Sequence, residues 1–477
     1  MSNFRIKTLI CLSFLSLTIF GCLPEKRIAW SPDGKRAAVA TPTGLYLIDA
    51  KGELLPPRLT GTPTRCVWTA DGEGLLVAHA RKVAKWDELT TSMSADEKRL
   101  IELKAVELRE RVLAFEGDWD DFDLDPGKIL SSGMEAAVLL CLRHGDNDGV
   151  KEKLGDKWED VEKIEVSVWR LTLFAVTDEE LIEKKTLFQG LDEIRSPSLS
   201  PDGRFAGFLW NRMVVSDEDD PDSIAGTLQL DQMSLNIVPT DGDKPARLIA
   251  NKVSIEYDWS PDSRSLAFIQ GSPSLEEGSR VELGSLATTT VADEKGALLE
   301  KWEEKDRVGL LFNPMLSVRW LRDGRLLFSS VEVTLPVTTR AMPQEWSLFI
   351  MDPRTPASVM RVLGRDLAEP REPETPVFSL SPDEKRVLLP GPQGRVTLYE
   401  FASGETIPLV ELDNPKGAMT CIPSWRNNDE ITFVMPQADA PARGTNLPEV
   451  HLWKDGRSRS ISDEWPEEMR NGWLDGK

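Results

Sequence analysis

A chain of 477 residues with 57 basic and 79 acidic side chains carries a net charge of −22, and 40% of it is apolar. So acidic a surface repels phosphate backbones, which excludes nucleic acid as a partner and excludes docking on anionic head groups by charge alone. Its three histidines, His79, His144 and His451, are far apart in sequence, which leaves little for a histidine-based metal centre or general base.

Met1–Lys7 carries Arg5 and Lys7, and an apolar run from Thr8 to Phe20 follows and stops at Gly21-Cys22. This is the plan of a secretory signal peptide, and the run is too short to span a bilayer. The ending Ile19-Phe20-Gly21-Cys22 resembles a bacterial lipobox, although Phe20 stands where a small residue is usual. The resemblance implies cleavage after residue 21 and acylation of Cys22, with an ordinary signal peptide or an uncut anchor as the alternative. Leu23, rather than Asp, follows the cysteine. That is similar to lipoproteins sorted to the outer membrane and facing the periplasm. Cys66, Cys141 and Cys421 remain, an odd and scattered set that makes no disulfide framework.

After an anchor segment at 22–27, one unit returns along residues 28–462. It reads Ile28-Ala-Trp-Ser-Pro-Asp-Gly34, then Cys66-Val-Trp-Thr-Ala-Asp-Gly72, then Pro197-Ser-Leu-Ser-Pro-Asp-Gly203. Further copies are Tyr257-Asp-Trp-Ser-Pro-Asp-Ser263, Val318-Arg-Trp-Leu-Arg-Asp-Gly324, Phe378-Ser-Leu-Ser-Pro-Asp-Glu384 and a weaker Pro423-Ser-Trp-Arg-Asn-Asn-Asp429. Proline presets the turn, the aspartate caps it, and glycine accepts the left-handed conformation at its end. An alternating apolar strand follows, and third and fourth strands such as Leu45–Asp49 and Glu405–Val410 complete many units. Four antiparallel strands repeated radially predict an all-β propeller.

The repeat positions Trp68 and Leu199 are 131 residues apart, where most neighbours are separated by about 60. This gap suggests a degenerate extra blade, with a hairpin at Ile129–Gly133, a strand at Glu135–Leu142 and two more strands through Gln189. The count is then eight, with seven as the alternative. The gap also holds a helical insert at 94–115, announced by Ser94-Ala-Asp-Glu97 and an apolar face of Ile101, Ala105, Leu108, Val112 and Phe115. Residues 463–477 are left as a C-terminal tail.

The Trp-Ser-Pro-Asp-Gly unit resembles the repeat of TolB-like propellers, relatives of the WD repeat. The likeness implies a binding scaffold, or the non-catalytic half of a prolyl-oligopeptidase-type hydrolase. No Gly-x-Ser-x-Gly elbow is present for the latter.

Candidate sites thin out on inspection. Asp118–Gly127 and His144–Gly149 lack the residues of a calcium loop at the required places, and Asp217–Asp222 reads as a solvated loop. The aspartates Asp33, Asp71, Asp202, Asp262, Asp323 and Asp383 recur once per unit, which fits turn capping and not catalysis. The repeat tryptophans read as core, whereas Trp119, Trp158, Trp302 and Trp346 read as candidates for a ligand-contacting surface. The expectation is a non-catalytic envelope lipoprotein without cofactor. It would be anchored through Cys22 and bind a protein or glycan partner through propeller-face loops. The alternative is an envelope lyase or hydrolase using carboxylates at the propeller mouth.

Overall fold

The computed structural model describes residues 26–470, apart from 42, 118–131, 146, 212–232, 243, 272–282, 313–314, 332–345, 356–357, 363–376, 391–395, 411–421 and 436–448. Its strands form seven four-stranded antiparallel sheets, each taken up in chain order. Blade 1 comprises β1 (Ile28–Trp30), β2 (Arg36–Thr41), β3 (Gly44–Asp49) and β4 (Leu54–Thr60), and blade 2 comprises β5 (Thr62–Trp68), β6 (Gly74–Val83), β7 (Val166–Val176) and β8 (Leu181–Gly190). Blade 3 is β9 (Ile194–Leu199) to β12 (Arg247–Ala250) through β10 (Phe205–Asn211) and β11 (Met233–Pro239). Blade 4 is β13 (Val253–Trp259), β14 (Ser265–Gly271), β15 (Leu283–Thr290) and β16 (Glu304–Leu311). Blade 5 is β17 (Val318–Trp320), β18 (Leu326–Val331), β19 (Trp346–Met351) and β20 (Met360–Arg361). Blade 6 is β21 (Ser379–Leu380), β22 (Arg386–Pro390), β23 (Val396–Glu400) and β24 (Thr406–Val410). Blade 7 is β25 (Ser424–Trp425), β26 (Glu430–Met435), β27 (Glu449–Lys454) and β28 (Arg457–Ser460).

Strand alternation explains why these sheets form a ring. Successive side chains point to opposite faces of a strand, so each blade presents one apolar set to the blade before it and another to the blade after. On β2, Ala37 and Val39 pack with Val434, Val450 and Leu452 of blade 7, while Ala38 and Ala40 pack with Trp68, Leu75 and Val77 of blade 2. The pattern continues through every neighbouring pair, and the seventh blade buries its second face against the first. Among the described residues, no strand is exchanged at the closure. Arg426 donates from Nε to Gly34 O (2.8 Å), and Trp30 Nε1 donates to Thr432 Oγ1 (3.1 Å). Residues 463–470, set apart in the sequence as a tail, reinforce this seam. Trp465 Nε1 donates to Gly52 O (2.8 Å), and Met469 in α6 (Glu467–Arg470) is fully buried against the blades.

The expected eighth blade is absent from the ring, and the reason lies in blade 2. Val83 at the end of β6 pairs with Val166 at the start of β7, so residues 84–165 leave and rejoin one hairpin. Between them lie α1 (Trp86–Thr90), α2 (Ala95–Ala114), α3 (Ser132–His144), α4 (Asp148–Leu154) and α5 (Trp158–Glu162). Glu135–Leu142, read as a strand, belongs to α3, because an Ala- and Leu-rich run satisfies a helix as well as a strand. Ile129–Ser131 lie outside the described residues. The strands expected after them are β7 and β8, which complete blade 2.

The insert has its own core. Ser94 and Glu97 form the reciprocal cap of α2, with Ser94 N donating to Glu97 Oε2 (2.8 Å) and Glu97 N to Ser94 Oγ (3.2 Å). Ile101, Ala105, Leu108 and Val112 are buried against Val138, Leu142 and Val161. Arg143 ties the base together, donating from Nη1 to Glu162 O (2.5 Å) and Ile164 O (3.2 Å) and from Nη2 to Ala84 O.

Candidate axial ligand site

The first strand of every blade ends at the repeat Trp or Leu and turns back through the Ser-Pro-Asp-Gly hairpin. At Asp33, the carboxylate accepts from Ser31 Oγ (2.7 Å) and from Lys35 N (3.1 Å). Asp71, Asp202, Asp262 and Asp383 make the same pair of bonds with the hydroxyl two residues back and the N–H two residues on. Asp323, with Leu321 in place of a hydroxyl residue, accepts from Arg325 N (3.0 Å) and Arg325 Nε (2.8 Å). Each of these acids is committed to its own turn. The side-chain and backbone donors hold the Asp33 carboxyl down at about 2.

The repeat tryptophans join neighbouring blades. Trp68 Nε1 donates to Ala29 O (2.8 Å), Trp259 Nε1 to Ser198 Oγ (3.0 Å) and Trp425 Nε1 to Ser379 O (3.0 Å). Arginines cover their outer faces, with the Arg36 guanidinium 5.4 Å from the centre of the Trp68 ring and that of Arg426 5.0 Å from Trp30. Of the four tryptophans expected on a ligand-contacting surface, Trp158 is instead buried in the insert core, its Nε1 donating to Glu162 Oε1 (2.7 Å). Trp302 is half-buried under the Arg247 guanidinium, Trp346 begins β19, and Trp119 lies outside the described residues.

What does not repeat is found on the inner strands. Arg65 of β5, Glu256 of β13 and Arg319 of β17 come from blades 2, 4 and 5 and meet across the ring. Arg65 Nη1 lies 3.1 Å from Glu256 Oε1 and also donates to Ser196 Oγ (3.1 Å). Arg319 Nη2 pairs with Glu256 Oε2, and its Nη1 donates to Val318 O (2.9 Å). Burial alone would push the Glu256 carboxyl up, but Arg319 and Arg65 overcome it and hold the group at about 2. Lys26, just ahead of β1, joins this cluster. Burial, followed by repulsion from Arg65 and Arg319, brings its ammonium down to about 8. Asp258, two residues along β13, is pushed up by burial to about 6 and accepts from Trp320 N (2.8 Å).

Lys26, Arg65, Glu256 and Arg319, but not Asp258, border a cavity of about 250 Å³ that runs along the first strand of blade 6 from Phe378 to its hairpin. Phe378, Leu380 and Ile422 supply apolar wall, and Glu384 closes the far end, where its carboxylate accepts from Arg322 N (3.1 Å). The volume lies just below the usual range for drug-sized ligands, and suits a small molecule or the end of a longer one.

The remaining chemistry-bearing residues do not join this cluster. His79 is buried with Nε2 3.1 Å from Thr172 Oγ1, and burial lowers it to about 4. His144 lies near Asp87 and His451 near Glu449. Cys66 is buried and pushed up to about 12 by desolvation, which leaves an inert thiol. His144–Gly149 spans the end of α3 and the start of α4, and Asp118–Gly127 and Asp217–Asp222 lie outside the described residues. Among the described residues, no group of three or more His, Cys, Asp and Glu is placed to hold a metal, and no helix is long and apolar enough to cross a membrane. Cys22 and Cys421 are outside the described residues.

Among solved structures, the chain is similar to a TolB from Agrobacterium tumefaciens, with a TM-score of 0.35 and 12% identity over 58% of this chain and 83% of that one. It is also similar to the β-propeller domain of the trilobed protease from Pyrococcus furiosus, with a TM-score of 0.33 and 13% identity over 62% of this chain and 81% of that one. No family model and no curated protein matches the sequence. The paired sheets of the described residues make a seven-bladed propeller.

Sequence reasoning missed the axial cluster because it followed what repeats. A signal was nevertheless present. Three residues before the repeat Trp or Leu, blades 2 to 6 carry Arg65, Ser196, Glu256, Ser317 and Val377, and opposite charges at one position of a ring are a prompt to look for an axial ion cluster.

Proposed function

We propose that this protein is a non-catalytic binding scaffold of the bacterial cell envelope, anchored through an acylated Cys22, and that it engages a protein or glycan partner through one face of the propeller. The observation that carries the binding part is Glu256. An axial carboxylate clamped by two guanidiniums at about 2 stays ionised at any physiological pH, so it holds charge in place and exchanges no proton. The sequence before the ring supports the anchor. Lys26 borders the axial cavity four residues after Cys22, and a chain of that length reaches at most about 14 Å. An anchor at Cys22 therefore keeps the cavity end of the ring close to the bilayer.

The second reading is an envelope hydrolase or lyase. Asp258 at about 6 and Lys26 at about 8 favour it, as two groups drawn toward neutrality in one region. Expression of the full chain and of Cys22→Ser in a two-membrane bacterium separates the readings. The full chain is expected in the outer-membrane fraction with a lipid mass adduct. Cys22→Ser is expected in the soluble periplasm, retaining a specific envelope partner and turning over no envelope polymer. Equal membrane partitioning of the two forms contradicts the anchor. Polymer turnover that disappears in Asp258→Asn replaces the scaffold with the enzyme.

A further inference from the structure

We propose that the axial cavity is an oxyanion site, which takes the phosphate or carboxylate group of a small ligand, or of the end of a longer one, against Lys26, Arg65 and Arg319. The proposal deepens the binding reading above and rests on it only in that the ligand leaves unchanged.

Positive charge exceeds negative charge at the site. Three cations from the start of blade 1 and from blades 2 and 5 gather around one carboxylate, Glu256. One carboxylate between two guanidiniums already leaves one positive charge over, and Lys26 adds another. The other acid on the cavity wall, Glu384, is engaged at the opposite end by Arg322 N. Asp258, on the same strand as Glu256, accepts from Trp320 N and also acts on Arg319, so the gathered cations keep one positive charge over. Excess charge in a partly desolvated site is unfavourable until a counter-charge arrives. It is all the more pointed in a chain of net charge −22.

Both guanidiniums also keep donors to spare. A guanidinium carries five N–H donors in a rigid fork. The bonds of Arg65 within the protein, to Glu256 and Ser196, leave from Nη1 alone, and those of Arg319 leave one from each Nη. Both keep donors for a planar or tetrahedral oxyanion while still holding Glu256. Lys26 feels the charge of Glu256 without an ion-pair contact among the described residues, so its ammonium is the cation with most to gain from a bound anion.

Apolar side chains flank the cations. Low-dielectric walls focus a field, and Phe378, Leu380 and Ile422 form such a wall beside the cations. They also offer a surface to the organic part of a ligand.

The test uses the Cys22→Ser soluble form of the full chain and three probes: inorganic phosphate, acetate and phosphoserine. Calorimetry at low salt is expected to show saturable binding of phosphoserine and of at least one simple anion, weakened by added chloride. Preference for phosphate or for acetate identifies which oxyanion the site prefers. Lys26→Met is expected to weaken binding by about tenfold, the scale of one charge-assisted hydrogen bond, and Lys26→Arg is expected to restore most of it. Both variants leave the Arg65–Glu256–Arg319 cluster intact, and circular dichroism checks their fold. Absence of saturable binding for all three probes, or equal affinity in Lys26→Met and the parent, overturns the site and leaves the scaffold reading standing. Phosphorus NMR of the phosphoserine mixture distinguishes the other failure. Binding with release of inorganic phosphate keeps the oxyanion site and overturns the non-catalytic reading.

Discussion

The hairpin turns at the ends of the inner strands and the axial cluster within the ring are built from the same strands, yet they follow opposite rules. At the turns, five aspartates make the same two hydrogen bonds, one to a hydroxyl two residues back and one to an N–H two residues on. On the axis, one register position carries arginine in blade 2, glutamate in blade 4 and valine in blade 6. Repetition marks what every blade needs in order to fold. Divergence at a shared position marks what the ring does once.

If that contrast is right, single substitutions in the two regions differ in size and in uniformity. The largest effect is expected for Glu256→Gln, which strands two part-buried guanidiniums and should lower stability by about 3 kcal/mol, read by urea or thermal unfolding. Its acid limb sharpens the point. The carboxyl sits at about 2 in the fold against a free value of 4.5, so its contribution is whole above 4.5 and is lost as pH falls toward 2. Glu256→Gln should therefore flatten the stability profile in that window. Trp68→Phe, which removes the N–H bonded to Ala29 O in the seam between blades 1 and 2, is expected to cost about 1.5 kcal/mol, measured in the same way. Asp33→Ala, Asp202→Ala and Asp383→Ala should each cost about 1 kcal/mol and resemble one another closely. A turn variant that costs more than Glu256→Gln would break the comparison.

The sequence made the propeller legible because its turn chemistry is local. Pro, Asp and Gly set φ and capping within four residues, and the strands on either side alternate. Of the three turns without glycine, two keep the form, with Ser263 at φ 62° and Glu384 at φ 60° in the left-handed region. Blade number was harder to read. The run Glu135–Leu142 is apolar almost throughout, so it has no period by which to tell helix from strand, and only the pairing of Val83 with Val166 shows that it belongs to an insert. The cap at Ser94 and the buried face of α2 could be read because capping and helical spacing are both local. The axial cluster could not be read in the same way. Arg65, Glu256 and Arg319 lie up to 254 residues apart in sequence and meet only because the ring closes.

The central claim is that Lys26 is held at the axis for a ligand and not for the fold, and the melting temperature of Lys26→Met without ligand tests it most directly. Its ammonium is lowered to about 8 from 10.5, so the charged form is disfavoured in the fold below pH 8, and stability should recover as pH rises from 8 to 10.5. At pH 7 the variant should therefore melt above the parent, and its profile between pH 8 and 10.5 should be flatter. A variant that melts below the parent, as Glu256→Gln is expected to do, would show that Lys26 is part of the framework and would contradict the account.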